Sequence, residues 1–109
     1  MDAAAKTLYR MKAEVAAAAA HPIRLAILDC LRGGEQCVCD IAVHVSAGRP
    51  NVSRHLAVML KAGLVDCRKD GLNVIYSLRA CCLPAFLDCT TDMVRQQARE
   101  ASALLRCMK

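Results

Sequence analysis

Apolar positions recur at helical spacing along most of the chain and alternate over one short stretch in its second half. Residues 2–19 are rich in Ala, Lys, Met and Leu and contain no Gly or Pro, which predicts a first helix. The His21-Pro22 step predicts a break, because the residue before proline avoids the helical region and proline suits a helix's first turn. An apolar stripe over residues 23–31 predicts a second helix, which Gly33-Gly34 ends.

The middle of the chain has the spacing of a helix-turn-helix. Residues 37–45 form a short apolar segment, Ser46-Ala47-Gly48 predicts a turn, and Pro50 lies near the start of the next helix. That helix has apolar residues three and four apart, which share one face, at Val52, Leu56, Met59 and Leu60. Lys61-Ala62-Gly63 ends it. A short helix and a turn before a helix with a polar start are typical of this motif.

A hairpin and a last helix complete the predicted fold. Residues 64–68 predict a strand, Lys69-Asp70-Gly71 a turn, and residues 72–78 the returning strand, in which Val74, Tyr76 and Leu78 alternate onto one face. Residues 84–105 predict a helix. The fold class is therefore mainly α with a small β-hairpin, a winged helix-turn-helix in the order α-α-α-α-β-β-α. We expect one domain over residues 1–109 whose first and last helices form a dimerisation surface.

Composition and charge narrow the function classes. The 109 residues suit a single domain with a modest core, and the 3% aromatic content argues against modules that stack bases on aromatic side chains. The net charge of +5 suits a polyanionic partner. No segment approaches the roughly 20 apolar residues that span a bilayer. We therefore expect a cytoplasmic protein with no membrane partner.

Three stretches carry a family resemblance. Residues 21–28 read His-Pro-Ile-Arg-Leu-Ala-Ile-Leu, residues 35–41 read Glu-Gln-Cys-Val-Cys-Asp-Ile, and residues 51–65 contain Ser-Arg-His-Leu followed by Lys-Ala-Gly-Leu-Val. Together they resemble the arsenical-resistance repressors, the ArsR/SmtB group of metal-sensing regulators. Together with the strand from Gly71 to Leu78, the resemblance covers nearly the whole chain. It implies a homodimeric repressor, not an enzyme, that binds a two-fold symmetric operator in double-stranded DNA.

The predicted DNA-reading residues lie at the start of the recognition helix and on the wing. Arginine can donate two hydrogen bonds to guanine, and asparagine can pair with adenine in the same bidentate way. Serine, histidine and lysine can contact phosphates or base edges. The predicted contacts are Arg49, Asn51, Ser53, Arg54 and His55 on the helix, and Arg68 and Lys69 on the wing. Asp70 and Asn73 make this wing less basic than many wings.

Eight cysteines in this short chain supply the candidate ligand-sensing chemistry. Cys37 and Cys39 lie at the head of the short helix before the recognition helix. On an α-helix, side chains of residues i and i+2 point about 200° from each other around the axis. Both could then bind one ion only if that turn distorted, and the distortion would reach the recognition helix. Thiolates select soft acceptors, so the expected inducer is As(III) or Sb(III), or alternatively Cd(II) or Pb(II). The resembling family often has a third cysteine where this chain has Ala42.

A second cysteine set is our second choice for the metal site. Cys81, Cys82 and Cys89 flank the start of the last helix. In a regular helix Cys82 and Cys89 would lie about 10 Å apart along the axis, so sharing an ion requires the first two to fold back from a loop. The zinc-sensing branch of the resembling family places Asp and His on this last helix. This chain lacks them there, so we expect no zinc site.

Other functions remain open at this point. The resemblance allows a repressor of the same fold that senses reactive sulfur species through Cys30, although the position of its expected partner is Arg95. A thiol enzyme or metal carrier would need a Cys–His pair or an acid–base pocket, and the sequence suggests neither. The remaining hypothesis is a constitutive regulator with inert cysteines, whose DNA affinity no ligand changes.

Overall fold

Five helices and a small antiparallel sheet make up residues 1–108, the part of the chain that this computed structural model describes. The helices are α1 (Ala3–Ala19), α2 (Pro22–Leu31), α3 (Val38–Val45), α4 (Arg49–Ala62) and α5 (Leu83–Cys107). The strands are β1 (Gln36–Cys37), β2 (Val65–Asp70) and β3 (Asn73–Leu78). The predicted winged helix-turn-helix is confirmed, with β1 as an additional strand. Among these residues, no helix combines the length and apolar character that crossing a bilayer requires.

Local signals explain where the helices begin and end. The Asp2 carboxylate accepts a hydrogen bond from the Ala5 amide at 2.7 Å and caps α1. The His21 side chain accepts one from the Ile23 amide at 3.1 Å and caps α2, directly before Pro22. Gly63 ends α4 in the left-handed region, at φ 82°, where any side chain would be strained. These ends agree with the sequence predictions.

The hairpin turn is shorter than the sequence predicted. Strands β2 and β3 pair from Val65 with Leu78 to Asp70 with Asn73, so Lys69 and Asp70 belong to the strand. The turn is Gly71-Leu72, with Gly71 at φ 65° as a tight hairpin requires. The sheet order is β1-β3-β2, because Gln36 and Cys37 pair with Tyr76 and Ile75 of β3. A two-residue strand carries no periodicity, which is why the sequence did not predict it.

The core lies where α2, α3, α4 and β2 meet. Its largest fully buried side chains are Ile27, Leu28, Ile41, Val52, Leu56, Met59 and Val65. Three of the four apolar residues predicted to share a face of α4 are among them. Leu60 differs, since 36% of its surface is exposed. The buried face holds α4 on the core and leaves its opposite face in solvent.

Replacing Leu56 by alanine should test this packing. Leu56 is fully buried, so we expect Leu56→Ala to lower the free energy of unfolding by about 2–5 kcal/mol. Val58 lies on the same helix and is 41% exposed, and Val58→Ala should cost less than about 1 kcal/mol. Urea unfolding of both variants measures the difference. Equal losses would show that the buried face of α4 is assigned incorrectly.

Helices α1 and α5 lie largely outside the core. The start of α5 is attached to the core by the buried side chains of Leu83 and Leu87. The Arg32 guanidinium also donates a hydrogen bond to the Asp88 carboxylate at 2.7 Å. Large apolar side chains elsewhere on the two helices are exposed, namely Leu8, Tyr9, Met11, Val15, Phe86, Met93, Val94, Leu104 and Leu105. This apolar surface lies where the sequence analysis placed the dimerisation surface.

Candidate DNA-binding surface and thiol pocket

The start of α4 presents most of the predicted DNA-reading residues to solvent. Arg49, Ser53 and Arg54 are exposed, and Asn51 is half-buried. At 100° per residue, Arg54 lies nearly opposite the buried face of α4. Since no acidic residue lies within α4, this exposed surface carries positive charge without an acidic neighbour on the same helix. A recognition helix reads the major groove with such N-terminal residues.

His55 lies on a different side of α4. Its Nδ1 accepts a hydrogen bond from Arg24 Nε at 3.1 Å, and its ring centroid lies 4.4 Å from that of His21. Burial, and then the positive charges of His21, Arg24 and Arg54, lower the pKa of His55 below its ordinary value. The side chain is therefore half-buried, neutral and engaged by α2. This placement favours a packing role, and the DNA contact predicted for His55 stays a prediction.

On the wing, Arg68 and Lys69 differ in their surroundings. Arg68 is exposed, but its guanidinium pairs with the Glu35 carboxylate at 2.8 Å and lies 4.0 Å from that of Asp70. Lys69 is exposed at the end of β2, two residues before the turn. Glu35 competes with a DNA phosphate for Arg68, which reduces the contribution that Arg68 can make. The sequence did not indicate this pair, because its members lie 33 residues apart.

Cys37 and Cys39 line the same pocket, which has a volume of about 140 Å³. The other lining residues are Val38, Arg49, Ser53, Leu72, Asn73 and Val74. Cys37 has the extended backbone of β1, at φ −80° and ψ 163°, and precedes the first residue of α3. The prediction that the two thiols occupy one helix about 200° apart is therefore wrong. Cys37 and Cys39 therefore line one pocket although only Cys39 belongs to α3.

The pocket lies at the junction of three elements that a DNA-binding domain uses. The end of β1 and the start of α3 supply Cys37 and Cys39, the first turns of α4 supply Arg49 and Ser53, and the wing supplies residues 72–74. Two cysteines on the wall of one small pocket suit a soft ion or metalloid. Within residues 1–108, no three Cys, His, Asp or Glu side chains lie close enough to hold a metal together. A third donor would have to be an oxygen ligand or come from a second chain.

The structure does not bring Cys81, Cys82 and Cys89, the second choice for the metal site, together into one site. Cys81 and Cys82 are exposed in the turn before α5, and Cys82 lines an apolar groove between α1 and α5. Cys89 faces a different groove, with Asp92, Met93, Gln96, Gln97 and Arg99. The arrangement gives no support for three thiols on one ion, and their metal binding stays a prediction.

Cys30 is buried and hydrogen bonded. Its thiol donates to Gln36 Oε1 at 3.3 Å, and Gln36 Nε2 donates to the Cys30 carbonyl at 3.1 Å. Burial raises the pKa of this thiol above its ordinary value, which keeps it protonated and poorly nucleophilic. Arg95 lines a groove with Asp29 rather than with Cys30. The environment of Cys30 therefore disfavours a reactive-sulfur sensor built on it.

Comparison with known proteins points to one family. Residues 21–66 match the bacterial regulatory proteins of the arsR family. An uncharacterised HTH-type transcriptional regulator of Methanocaldococcus jannaschii is 41% identical over 64 residues, which cover 58% of this chain and 72% of that protein. The arsenical resistance operon repressor of Staphylococcus xylosus is 40% identical over 57 residues, covering 52% of this chain and 55% of the repressor.

A solved structure has the same fold. The homodimeric winged helix-turn-helix domain of a possible ArsR-family regulator from Mycobacterium bovis superposes with a TM-score of 0.79 at 24% identity. The match covers 92% of this chain and 93% of that domain. At this identity the likeness shows the fold alone.

Proposed function

The chain belongs to the arsR family of bacterial regulatory proteins, and we propose that it is a repressor that leaves its operator when arsenite or antimonite binds Cys37 and Cys39. Its family and fold are those of DNA-binding transcriptional regulators rather than enzymes. One observation carries the proposal. Cys37 and Cys39 line a pocket of about 140 Å³ together with Arg49 and Ser53, residues of the predicted DNA-reading surface.

The shared pocket supports direct interference between inducer and DNA. A ligand shifts a binding equilibrium only by its different affinity for the two states. Here a ligand held by the thiols would lie against Arg49, Ser53 and the wing turn, which the operator also needs. The volume admits a small ion with its oxygens and lies below the roughly 300 Å³ of pockets for larger organic ligands.

Two thiols are enough for a trivalent metalloid acid. In arsenous acid, two thiols replace two hydroxyl groups, two water molecules leave, and one hydroxyl stays on arsenic with no change of oxidation state. Arg49 and Ser53 are the hydrogen-bonding side chains of α4 on the pocket wall available to that oxygen. Cd(II) or Pb(II) is the alternative inducer, because both accept thiolate ligands as well.

We propose that the protein acts as a homodimer on two half-sites of double-stranded DNA. The exposed apolar residues of α1 and α5 supply a surface that a second copy would cover. The similar domain from Mycobacterium bovis is homodimeric. A two-fold dimer places one recognition helix in each half-site, about one helical turn of DNA apart.

The recognition helix and the wing should contribute unequally to DNA affinity. Arg54→Ala should weaken operator binding by roughly tenfold or more, the usual effect of losing an arginine contact to a base. Arg68→Ala should weaken it by less, since Glu35 already engages Arg68. Arg99→Ala, on α5, is the matched control. Fluorescence anisotropy at fixed ionic strength measures all three, and a larger loss for Arg68→Ala than for Arg54→Ala would contradict this assignment.

An inducer titration tests the proposed function. The protein is bound to labelled DNA from upstream of its own gene, and arsenite, antimonite, Cd(II), Pb(II) and a persulfide donor are added separately while anisotropy is followed. We expect release by arsenite and antimonite. Release by Cd(II) or Pb(II) alone, or by the persulfide donor alone, would favour the corresponding alternative repressor. No release by any of them would identify a regulator with inert cysteines.

A further inference from the structure

Arg24 ties the recognition helix to the rest of the domain. Its Nε donates to Nδ1 of His55 on α4 at 3.1 Å, and its NH1 donates to the carbonyl of Ala18, in the last turn of α1, at 3.3 Å. Arg24 itself lies in the first turn of α2 and is half-buried. One guanidinium therefore links three helices, and one of its two bonds fixes a side chain of α4.

Both imidazoles beside Arg24 use the same nitrogen as an acceptor. His21 Nδ1 accepts the Ile23 amide at 3.1 Å and caps α2, while His55 Nδ1 accepts from Arg24. A nitrogen that accepts a hydrogen bond carries no proton, so each ring is neutral with its proton on Nε2. The ring centroids lie 4.4 Å apart, so a charge on one ring is felt by the other.

The charges around this cluster are mostly positive. Arg24 of α2 and Arg54 of α4 are cationic neighbours of His55, and Glu14 of α1 and Lys61 of α4 line a groove with Arg24. Glu14 is already paired with Arg10 at 3.0 Å. Burial, together with the neighbouring His21, Arg24 and Arg54, lowers the pKa of His55. The hydrogen bond from Arg24 to His55 is therefore fully present above the ordinary histidine pKa of about 6.5. It is lost as the pH falls through the lowered pKa that His55 has in the folded protein.

We propose that Arg24 and His55 position the recognition helix for DNA and release it when the His55 imidazole takes up a proton in mild acid. A proton on His55 Nδ1 removes the acceptor of Arg24 and sets a second cation beside its guanidinium. This inference rests on the DNA-binding part of the proposed function and is independent of the thiol pocket.

The expected response opposes the general effect of acid on DNA binding. Protonation adds positive charge, which strengthens phosphate attraction in a DNA-binding protein. For the wild type we instead expect operator affinity to fall by roughly three- to tenfold between about pH 7.5 and pH 5.5, the size that losing one ordinary hydrogen bond gives. Anisotropy at constant ionic strength measures the profile.

Two variants separate positioning from general charge. His55→Asn keeps an acceptor near the place of Nδ1 without titrating in this range. The pH dependence should be lost in His55→Asn. His44→Gln, at an exposed histidine of α3, should keep the wild-type profile. A wild-type affinity that stays level or rises in acid, or the same fall in His55→Asn, would overturn the proposal.

A measurement without DNA keeps this test separate from the proposed function. Nitrogen-15 NMR of the imidazoles in the folded wild-type protein reports which ring nitrogen carries the proton. We expect His55 to be Nε2-protonated at neutral pH. An Nδ1-protonated His55 would overturn the proposal even if the operator proved unsuitable, and the expected tautomer with pH-independent operator affinity would overturn the positioning role.

Discussion

Replacing Cys37 and Cys39 together by serine is expected to abolish arsenite-induced release of the operator. Serine is close in size to cysteine but offers a hard oxygen in place of a soft thiolate, so the pocket keeps its shape and loses its ligand chemistry. We expect the concentration of arsenite needed for half-release to rise by more than roughly 100-fold, the upper cost of losing a group that merely supports a metal ligand, because both protein ligands are lost. Anisotropy of the variant on the same DNA measures this.

The other cysteine set provides the matched control. Cys81→Ser/Cys82→Ser/Cys89→Ser removes three exposed thiols that the structure does not gather into one site. This triple variant should respond to arsenite as the wild type does. If the triple variant fails to respond while Cys37→Ser/Cys39→Ser still does, the inducer site lies at the start of α5. The pocket beside Arg49 would then have no sensing role.

Placing charge on the apolar stripe of α5 is expected to separate the dimer. Val94, Ala98, Ala101 and Leu105 continue at helical spacing the line of Leu87, which is buried against the core. Val94 and Leu105 are 64% and 67% exposed, so this stripe has no cover within the described chain. A second copy would bury them, and Val94→Glu/Leu105→Glu would place two carboxylates in that contact.

The same variant should lose operator affinity without any change to the DNA-reading residues. A monomer engages one half-site, so the gain from linking two half-sites disappears, and affinity should fall by roughly 100-fold or more. Light scattering after size exclusion reports the mass, and anisotropy reports the affinity. Ala103→Glu places a carboxylate on the opposite face of α5 and is the control. A dimeric Val94→Glu/Leu105→Glu protein with unchanged affinity would place the dimer contact elsewhere.

The helices and the wing could be predicted because their signals are local. Pro22 lies in the first turn of α2, Gly63 takes the left-handed conformation that ends α4, and Asp70-Gly71 marks the hairpin. Each of these depends on the backbone preference of one or two residues. The buried positions Val52, Leu56 and Met59 likewise follow from helical spacing alone.

The site geometry could not be predicted because it depends on partners distant in the chain. Cys37 is extended because it pairs with Ile75 of β3. Of the two cysteines predicted to lie on one helix, Cys37 therefore ends a strand and only Cys39 lies in the first turn of α3. His55 is a residue type that can contact DNA, yet its ring accepts a hydrogen bond from Arg24, which lies 31 residues away in the sequence. Residue type and spacing therefore identified the candidate chemistry, while the pocket that joins Cys37, Cys39 and Arg49 required the tertiary structure.

The most direct test of the central claim is arsenic K-edge X-ray absorption of the protein loaded with equimolar arsenite. The spectrum counts the sulfur and oxygen neighbours of arsenic without reference to DNA. We predict a shell of two sulfurs and one oxygen in the wild type and in Cys81→Ser/Cys82→Ser/Cys89→Ser, and its loss in Cys37→Ser/Cys39→Ser. A three-sulfur shell that persists in Cys37→Ser/Cys39→Ser and disappears in the triple variant would contradict the assignment of the inducer to the pocket beside the recognition helix.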